Sequence, residues 1–147
     1  MNDNELQYLV EYIALRYFDD TFEHRAYFNK RLRTTGGRYM LESHHIEINP
    51  KQYELFGEEA VRDIIKHELC HYFLHLQGKG YQHKDTDFKK LCQKVGAPRF
   101  CQPTMTYNER VNHHYRCRNC GQDYYRIRRV NLVKMRCGQC GSKLKEL

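Results

Sequence analysis

The chain has 147 residues, 40 % of them hydrophobic and 13 % aromatic, which allows one modest core plus a small module and excludes a disordered chain. No run approaches the length needed to span a membrane, and the polar, acidic start Met1–Glu5 has no basic region or apolar signal core behind it, so a cytoplasmic protein is expected. The net charge of +7 is one-sided: residues 1–100 carry 15 basic and 15 acidic side chains and residues 101–147 carry 10 and 3, so the last third is the part expected to meet a polyanion.

Residues 3–18 predict an amphipathic helix, with Asn2 or Asp3 as cap and Leu6, Leu9, Val10, Ile13 and Tyr17 as its apolar stripe. Three short strands follow: 26–33, 38–42 after the Gly36-Gly37 turn, and 45–49, which ends at Pro50. In the third strand, Ile46 and Ile48 share one face and His45 and Glu47 the other. The proline suits a sheet edge, where an extended substrate would pair by backbone hydrogen bonds. His44 and His45 read as exposed or hydrogen-bonded side chains.

A strongly helical run spans about 58–77 and carries His67-Glu68-Leu69-Cys70-His71, an H-E-x-x-H motif. Residues four apart lie on one helix face, so both imidazoles reach a single Zn²⁺ and Glu68 reaches a water beside it. Val61, Ile65, Leu69, Tyr72 and Leu76 form one apolar face, and Ala60, Ile64, His67 and His71 form a second. Only Arg62 and Lys66 suggest a wet stripe, so the helix reads as central and its histidines as facing a cleft. Gly78 and Gly80 then let the chain reverse, and a helix follows over 85–95, capped by Asp85 or Thr86, with Phe88, Leu91, Cys92 and Val95 buried. His83 is preferred as third ligand over His75. His75 lies too far along the same helix from a metal between His67 and His71, whereas His83 follows the reversal.

Residues 101–114 read as a linker, with His113 and His114 as solvated loop residues. Residues 115–147 hold Cys117-x-x-Cys120-Gly121 and Cys137-x-x-Cys140-Gly141, four thiolates at the spacing of a closed structural zinc site. Cys70, Cys92 and Cys101 read as reduced thiols. Between the cysteine pairs, 124–130 and 132–136 predict two antiparallel strands, making a zinc ribbon. Tyr124, Arg126, Arg128, Arg129, Lys134 and Arg136 are its candidate nucleic-acid contacts, with Tyr124 the preferred stacking platform.

The Gly36-Gly37 turn, Ile46-x-Ile48, His67-Glu68-x-x-His71, His83, Phe88 and the four-cysteine ribbon together resemble the SprT-like family over nearly the whole chain. The resemblance implies an α+β protein: a minimal zincin-like domain at 1–100, with a three-stranded sheet packed on the H-E-x-x-H helix, followed by the ribbon. It implies His67, His71 and His83 as ligands of a catalytic zinc, Glu68 as the catalytic carboxylate, and a second, structural zinc on Cys117, Cys120, Cys137 and Cys140. The function expected is that of a monomeric zinc metallopeptidase acting on proteins associated with nucleic acid. The alternative is a nucleic-acid-binding accessory factor, for example in transcription elongation, whose first zinc site is not proteolytic.

Overall fold

The computed structural model describes residues 1–101, 103–105 and 107–147. They form two compact units, Met1–Thr104 and Met105–Leu147.

The first unit opens with helix α1 (Asp3–Phe18). Asn2 caps it: its side chain accepts from the Glu5 N–H at 2.8 Å, and the Glu5 carboxylate accepts from the Asn2 N–H at 3.1 Å. Asp3 instead accepts from the Phe28 N–H at 2.9 Å. Leu6, Leu9, Val10, Ile13 and Ala14 are buried. Tyr17, expected in that stripe, stays partly exposed because the Lys66 ammonium occupies its ring face at 4.0 Å.

The sheet consists of β1 (Ala26–Phe28), β2 (Gly37–Tyr39) and β3 (Ile46–Ile48) in the order β1-β3-β2. β3 runs parallel to β1 and antiparallel to β2, with Tyr39 opposite Ile46. The strand expected at 45–49 is therefore central, and its expected role as a substrate-binding edge is corrected. Pairing of β1 with β3 joins residues distant in sequence and leaves no turn signature beside β3. Pro50 reports on the next element, since Asn49 and Pro50 are the N-cap and first residue of α2 (Pro50–Phe56), a helix the sequence reading missed. The face of β3 opposite Ile46 and Ile48 is closed as well. Glu47 is buried and accepts from the Tyr27 hydroxyl at 3.0 Å, Asn29 Nδ2 at 2.9 Å and Arg38 Nε at 2.5 Å. Burial alone would raise its pKa, but these donors hold it below the usual carboxylate value.

Gly57, at φ +81°, separates α2 from α3 (Glu58–Leu76). The buried residues Val61, Ile64, Ile65, Leu69, Tyr72 and Phe73 of α3 share one core with α1, Ile46 and Ile48. Leu76 departs from the expected apolar face. It is 47 % exposed, because the helix ends there and the core is closed one turn earlier. Helix α4 (Thr86–Val95) packs Phe88 and Val95 onto Cys70 and Leu74 of α3. Asp85 holds its N-cap position, yet its carboxylate turns back to accept from the Gln82 N–H at 3.0 Å.

The second unit contains α5 (Tyr107–Arg110), β4 (His113–Cys117), β5 (Asp123–Arg126) and β6 (Leu144–Glu146). Its antiparallel sheet has the order β5-β4-β6, around buried Tyr115, Cys117, Cys137 and Leu144. Two expectations are corrected. α5 and the start of β4 fall within 101–114, expected as linker, of which 102 and 106 lie outside the described residues. The stretch 132–136 is a turn, not the partner of β5. Asn131 Oδ1 accepts from the Val133 and Lys134 N–H groups at 3.0 and 3.4 Å, and Arg136 makes only a single bridge, with Lys143.

Candidate metal centres

Helix α3 presents His67 and His71 one turn apart, and the loop after Gly78 brings His83 to them. His83 Nε2 lies 3.0 Å from both His67 Nε2 and His71 Nε2. Two backbone carbonyls fix the first two rings: Pro98 O accepts from His67 Nδ1 at 3.2 Å and Tyr81 O from His71 Nδ1 at 2.5 Å. A carbonyl can only accept, so each Nδ1 carries the proton and each Nε2 keeps its lone pair. Phe88 backs the cluster, stacking on His71 with ring centroids 4.3 Å apart. Burial lowers the pKa of His67 and brings that of His71 to about 4, so both rings stay neutral. Three imidazole nitrogens converging on one point fit a transition-metal cation. His75, the competing candidate, turns away, with its Nδ1 2.6 Å from the Tyr39 hydroxyl.

Glu68 follows His67 on α3 and is 6 % exposed. Burial pushes its pKa up to about 8, opposed by the backbone N–H of Tyr39, which faces the carboxylate. A bound dication nearby would favour the ionised form. The site opens into a cleft of about 860 Å³ lined by residues 34–39, by α2 and α3, by Tyr81, Gln82 and His83, and by residues 98–101.

β2 forms one wall of this cleft. Asn49 N donates to Gly36 O and Met40 N to His45 O, so the even-numbered residues of this ladder bond to the β3 side. Alternation then turns the N–H and C=O groups of Gly37 and Tyr39 toward the outer edge. The approach to α3 is close: a Cβ on Gly37 would lie 2.6 Å from Ile64 Cγ2, and one on Gly36 would lie 2.6 Å from Cys101 Sγ. That spacing explains the glycine pair better than a turn does. The sequence reading missed Tyr39, Tyr81 and Pro98. The latter two act through carbonyls, which leave no side-chain pattern, while Tyr39 could have been found from its i+2 relation to Gly37.

In the second unit, Cys117, Cys120, Cys137 and Cys140 bring their sulfurs within 4.8 Å of one another. Gly121 and Gly141 take φ of +77° and +75°, and their N–H groups donate back to Cys117 O and Cys137 O, closing two knuckles. Hydrogen bonds from Ser142 hold the Cys140 thiol down at about 5, and the Tyr124 hydroxyl, 3.2 Å from Cys137 Sγ, lowers Cys137. Four thiols gathered in this way, two of them disposed to ionise, fit a closed tetrahedral zinc site.

The other ribbon candidates are scattered. Tyr124, expected as the stacking platform, commits its hydroxyl to Cys137 and to the Gly138 N–H, and the Arg126 guanidinium lies 5.3 Å from its ring. Tyr125 is the better exposed ring, at 49 %, and stacks on His114 at 4.5 Å. His114, expected in a loop, lies on β4 and bonds Asp123 at 2.9 Å. Arg126 ends β5, with Arg128 and Arg129 exposed just beyond. Lys134 lies in the 131–135 turn, and Arg136 Nη1 donates to the carbonyls of Leu132, Val133 and Met135.

The SprT-like family model matches residues 6–113. The chain belongs to the SprT-like family. A Staphylococcus epidermidis protein named Protein SprT-like is 67 % identical over 147 residues, all of this chain and 97 % of the relative. Proteins of the same name from Staphylococcus saprophyticus and Staphylococcus aureus are 62 % and 61 % identical, over 100 % and 99 % of this chain and 97 % and 96 % of their own length. No solved structure matches this SprT-like chain. The family match contains His67, Glu68, His71 and His83, while the four ribbon cysteines lie beyond it and within the span of the full-length relatives. No helix among the described residues is long and apolar enough to cross a membrane.

Proposed function

We propose that this SprT-like protein is a zinc-dependent metallopeptidase of minimal zincin type that cleaves proteins associated with nucleic acid. One observation carries the reading: the buried carboxylate of Glu68 stands beside three convergent imidazoles at one side of an open cleft. A purely structural metal site has no use for that carboxylate. His67, His71 and His83 would hold the zinc, which when bound supplies Lewis acidity toward a scissile carbonyl and toward a water. Glu68 takes the proton of the attacking water and passes it to the leaving nitrogen. The outer edge of β2, with the Gly37 N–H and C=O and the Tyr39 C=O turned outward, is where an extended substrate adds as a further strand, while the Tyr39 N–H serves Glu68. Backbone pairing implies weak side-chain preference. Cys117, Cys120, Cys137 and Cys140 would hold a second, structural zinc.

Nucleic-acid association rests on the charge of the last third and on the exposed Arg126, Arg128, Arg129 and Lys134. The test is cleavage of casein and of the chain itself, with and without DNA, by wild type and Glu68→Gln. Loss of cleavage in the variant with zinc content unchanged supports the peptidase. Equal cleavage by both removes Glu68 from the mechanism. Absence of cleavage throughout, with DNA binding intact, favours the accessory-factor reading.

A further inference from the structure

In the first unit four histidines lie outside the metal cluster, and two of them converge on one phenol. The Tyr39 hydroxyl is 2.6 Å from His75 Nδ1, in the last turn of α3, and 2.6 Å from His44 Nδ1, in the β2–β3 connection. A phenol has one proton to give and lone pairs to receive. It therefore donates to one Nδ1 and accepts from the protonated Nδ1 of the other, so the two rings take opposite tautomers. Burial keeps the phenol protonated, with its pKa up at about 12. Its ring meets that of Tyr72 edge-on, with centroids 5.8 Å apart. His44 takes φ +65°, a left-handed conformation that costs a non-glycine residue energy and persists where its surroundings impose it. Here the His44 N–H donates to Met40 O at 2.8 Å and the side chain is held by Tyr39.

β2 needs such a tie. It has three residues, and alternation places Gly37 and Tyr39 on its helix-facing side. Gly37 offers no side chain, so Tyr39 alone anchors that face by a side chain. The same residue turns its backbone N–H to the Glu68 carboxylate. We infer that Tyr39, clamped by His44 and His75, is a positioning residue: it fixes the edge strand on α3 and thereby sets the orientation of Glu68. The inference rests on the reading of Glu68 as the catalytic carboxylate. It gives His75 a role other than the metal-binding one considered from the sequence.

Tyr39→Phe tests it, since the ring and backbone remain and only the hydroxyl is lost. The full-length, zinc-loaded protein is followed by amide hydrogen exchange and by proteolysis. Protection of the residue 39 amide is expected to fall about tenfold, with protection at Leu69 and the zinc content unchanged. Turnover kcat is expected to fall by a similar factor because Glu68 loses its orientation, and KM rises as well, since β2 is also the proposed substrate edge. His75→Gln, which keeps a polar partner for the phenol, should retain more protection and more kcat than His75→Ala. Unchanged protection at residue 39, or a loss expressed only in KM, overturns the inference. If wild type cleaves nothing, the peptidase reading fails by itself, and amide exchange still decides whether the clamp holds β2. If Tyr39→Phe destabilises the whole unit, His44→Asn removes half of the clamp while tolerating the left-handed backbone, and the same two readouts apply.

Discussion

Glu68, the proposed general base, also carries a stability cost. Its carboxyl binds a proton up to about pH 8 in the folded, metal-free protein, whereas an unfolded glutamate releases it near 4.5. The native state therefore holds more protons than the unfolded state between those values, and stability declines as pH rises through that window. The neutral His67 and His71 act in the opposite sense but only below about 6.5, where an unfolded histidine gains a proton. Between pH 6.5 and 8 the Glu68 effect outweighs theirs. Zinc-free wild type should lose stability over that range in denaturant titrations, and Glu68→Gln should flatten the slope. The same variant should lower kcat on the order of 10²- to 10⁴-fold if the proposed base chemistry holds. Glu47 makes the contrasting case. Its buried carboxylate is matched by three donors, so its charge is retained in the fold. Glu47→Ala leaves the half-exposed Arg38 to water but opens a gap among Tyr27, Asn29 and β2. A loss of about 2 kcal/mol or more is expected in equilibrium unfolding.

Among the elements, the fit of β2 on α3 determines the cleft. A methyl group at Gly37 would meet Ile64 Cγ2 at 2.6 Å and the backbone of Glu47 at 3.1 Å, so Gly37→Ala must separate strand from helix or distort both. The expected cost is about 1–3 kcal/mol, and the proposed peptidase activity should fall further than stability because the edge strand moves. A Gly37→Ala variant with wild-type melting and wild-type turnover would show that β2 accommodates the methyl. Helices were legible in the sequence because their periodicity is local: α1, α3 and α4 begin within a residue of where capping and apolar spacing place them. The strands were legible only as short apolar stretches. Their order depends on β1 pairing with β3 across 20 residues, a contact that no turn residue announces. The metal cluster was legible because His67, Glu68 and His71 share a helix and His83 follows a glycine reversal. The Tyr39 clamp was not, because it joins a strand, a hairpin and a helix end that only the tertiary fold assembles.

At the scale of the molecule, each compact unit has its own candidate cation site, and the two differ in what the cation would hold together. The first unit has a large apolar core independent of His67, His71 and His83, whereas the second, among the described residues, buries Tyr115, Cys117, Cys137 and Leu144 with Tyr124, Val130 and Leu132 packed against them. Two of the four buried residues are candidate ligands, so chelation should unfold residues 113–147 while α1–α4 persist, which amide exchange at Tyr115 and Leu69 would distinguish. The surplus charge belongs to this second unit, and its geometry narrows the contacts expected for nucleic acid. Arg136 directs its guanidinium to three carbonyls of its own turn, so its replacement tests folding as much as binding. Arg126 and Arg128 lie exposed at the end of β5, and the Tyr125 ring, stacked on His114, is the exposed aromatic surface beside them. Binding of labelled single-stranded DNA by the full zinc-loaded chain should fall steeply with salt. The Arg126→Glu/Arg128→Glu variant should bind at least about tenfold more weakly and with a shallower salt dependence, because two phosphate contacts are gone. Tyr125→Ala should weaken binding with the salt slope preserved, since a stacking contact releases no counterions. Affinity and slope unchanged in both variants would remove this end of β5 from the nucleic-acid interface. A loss in Tyr124→Phe equal to that in Tyr125→Ala, with zinc retained, would return the stacking role to the ring that the structure commits to the cysteine knuckle.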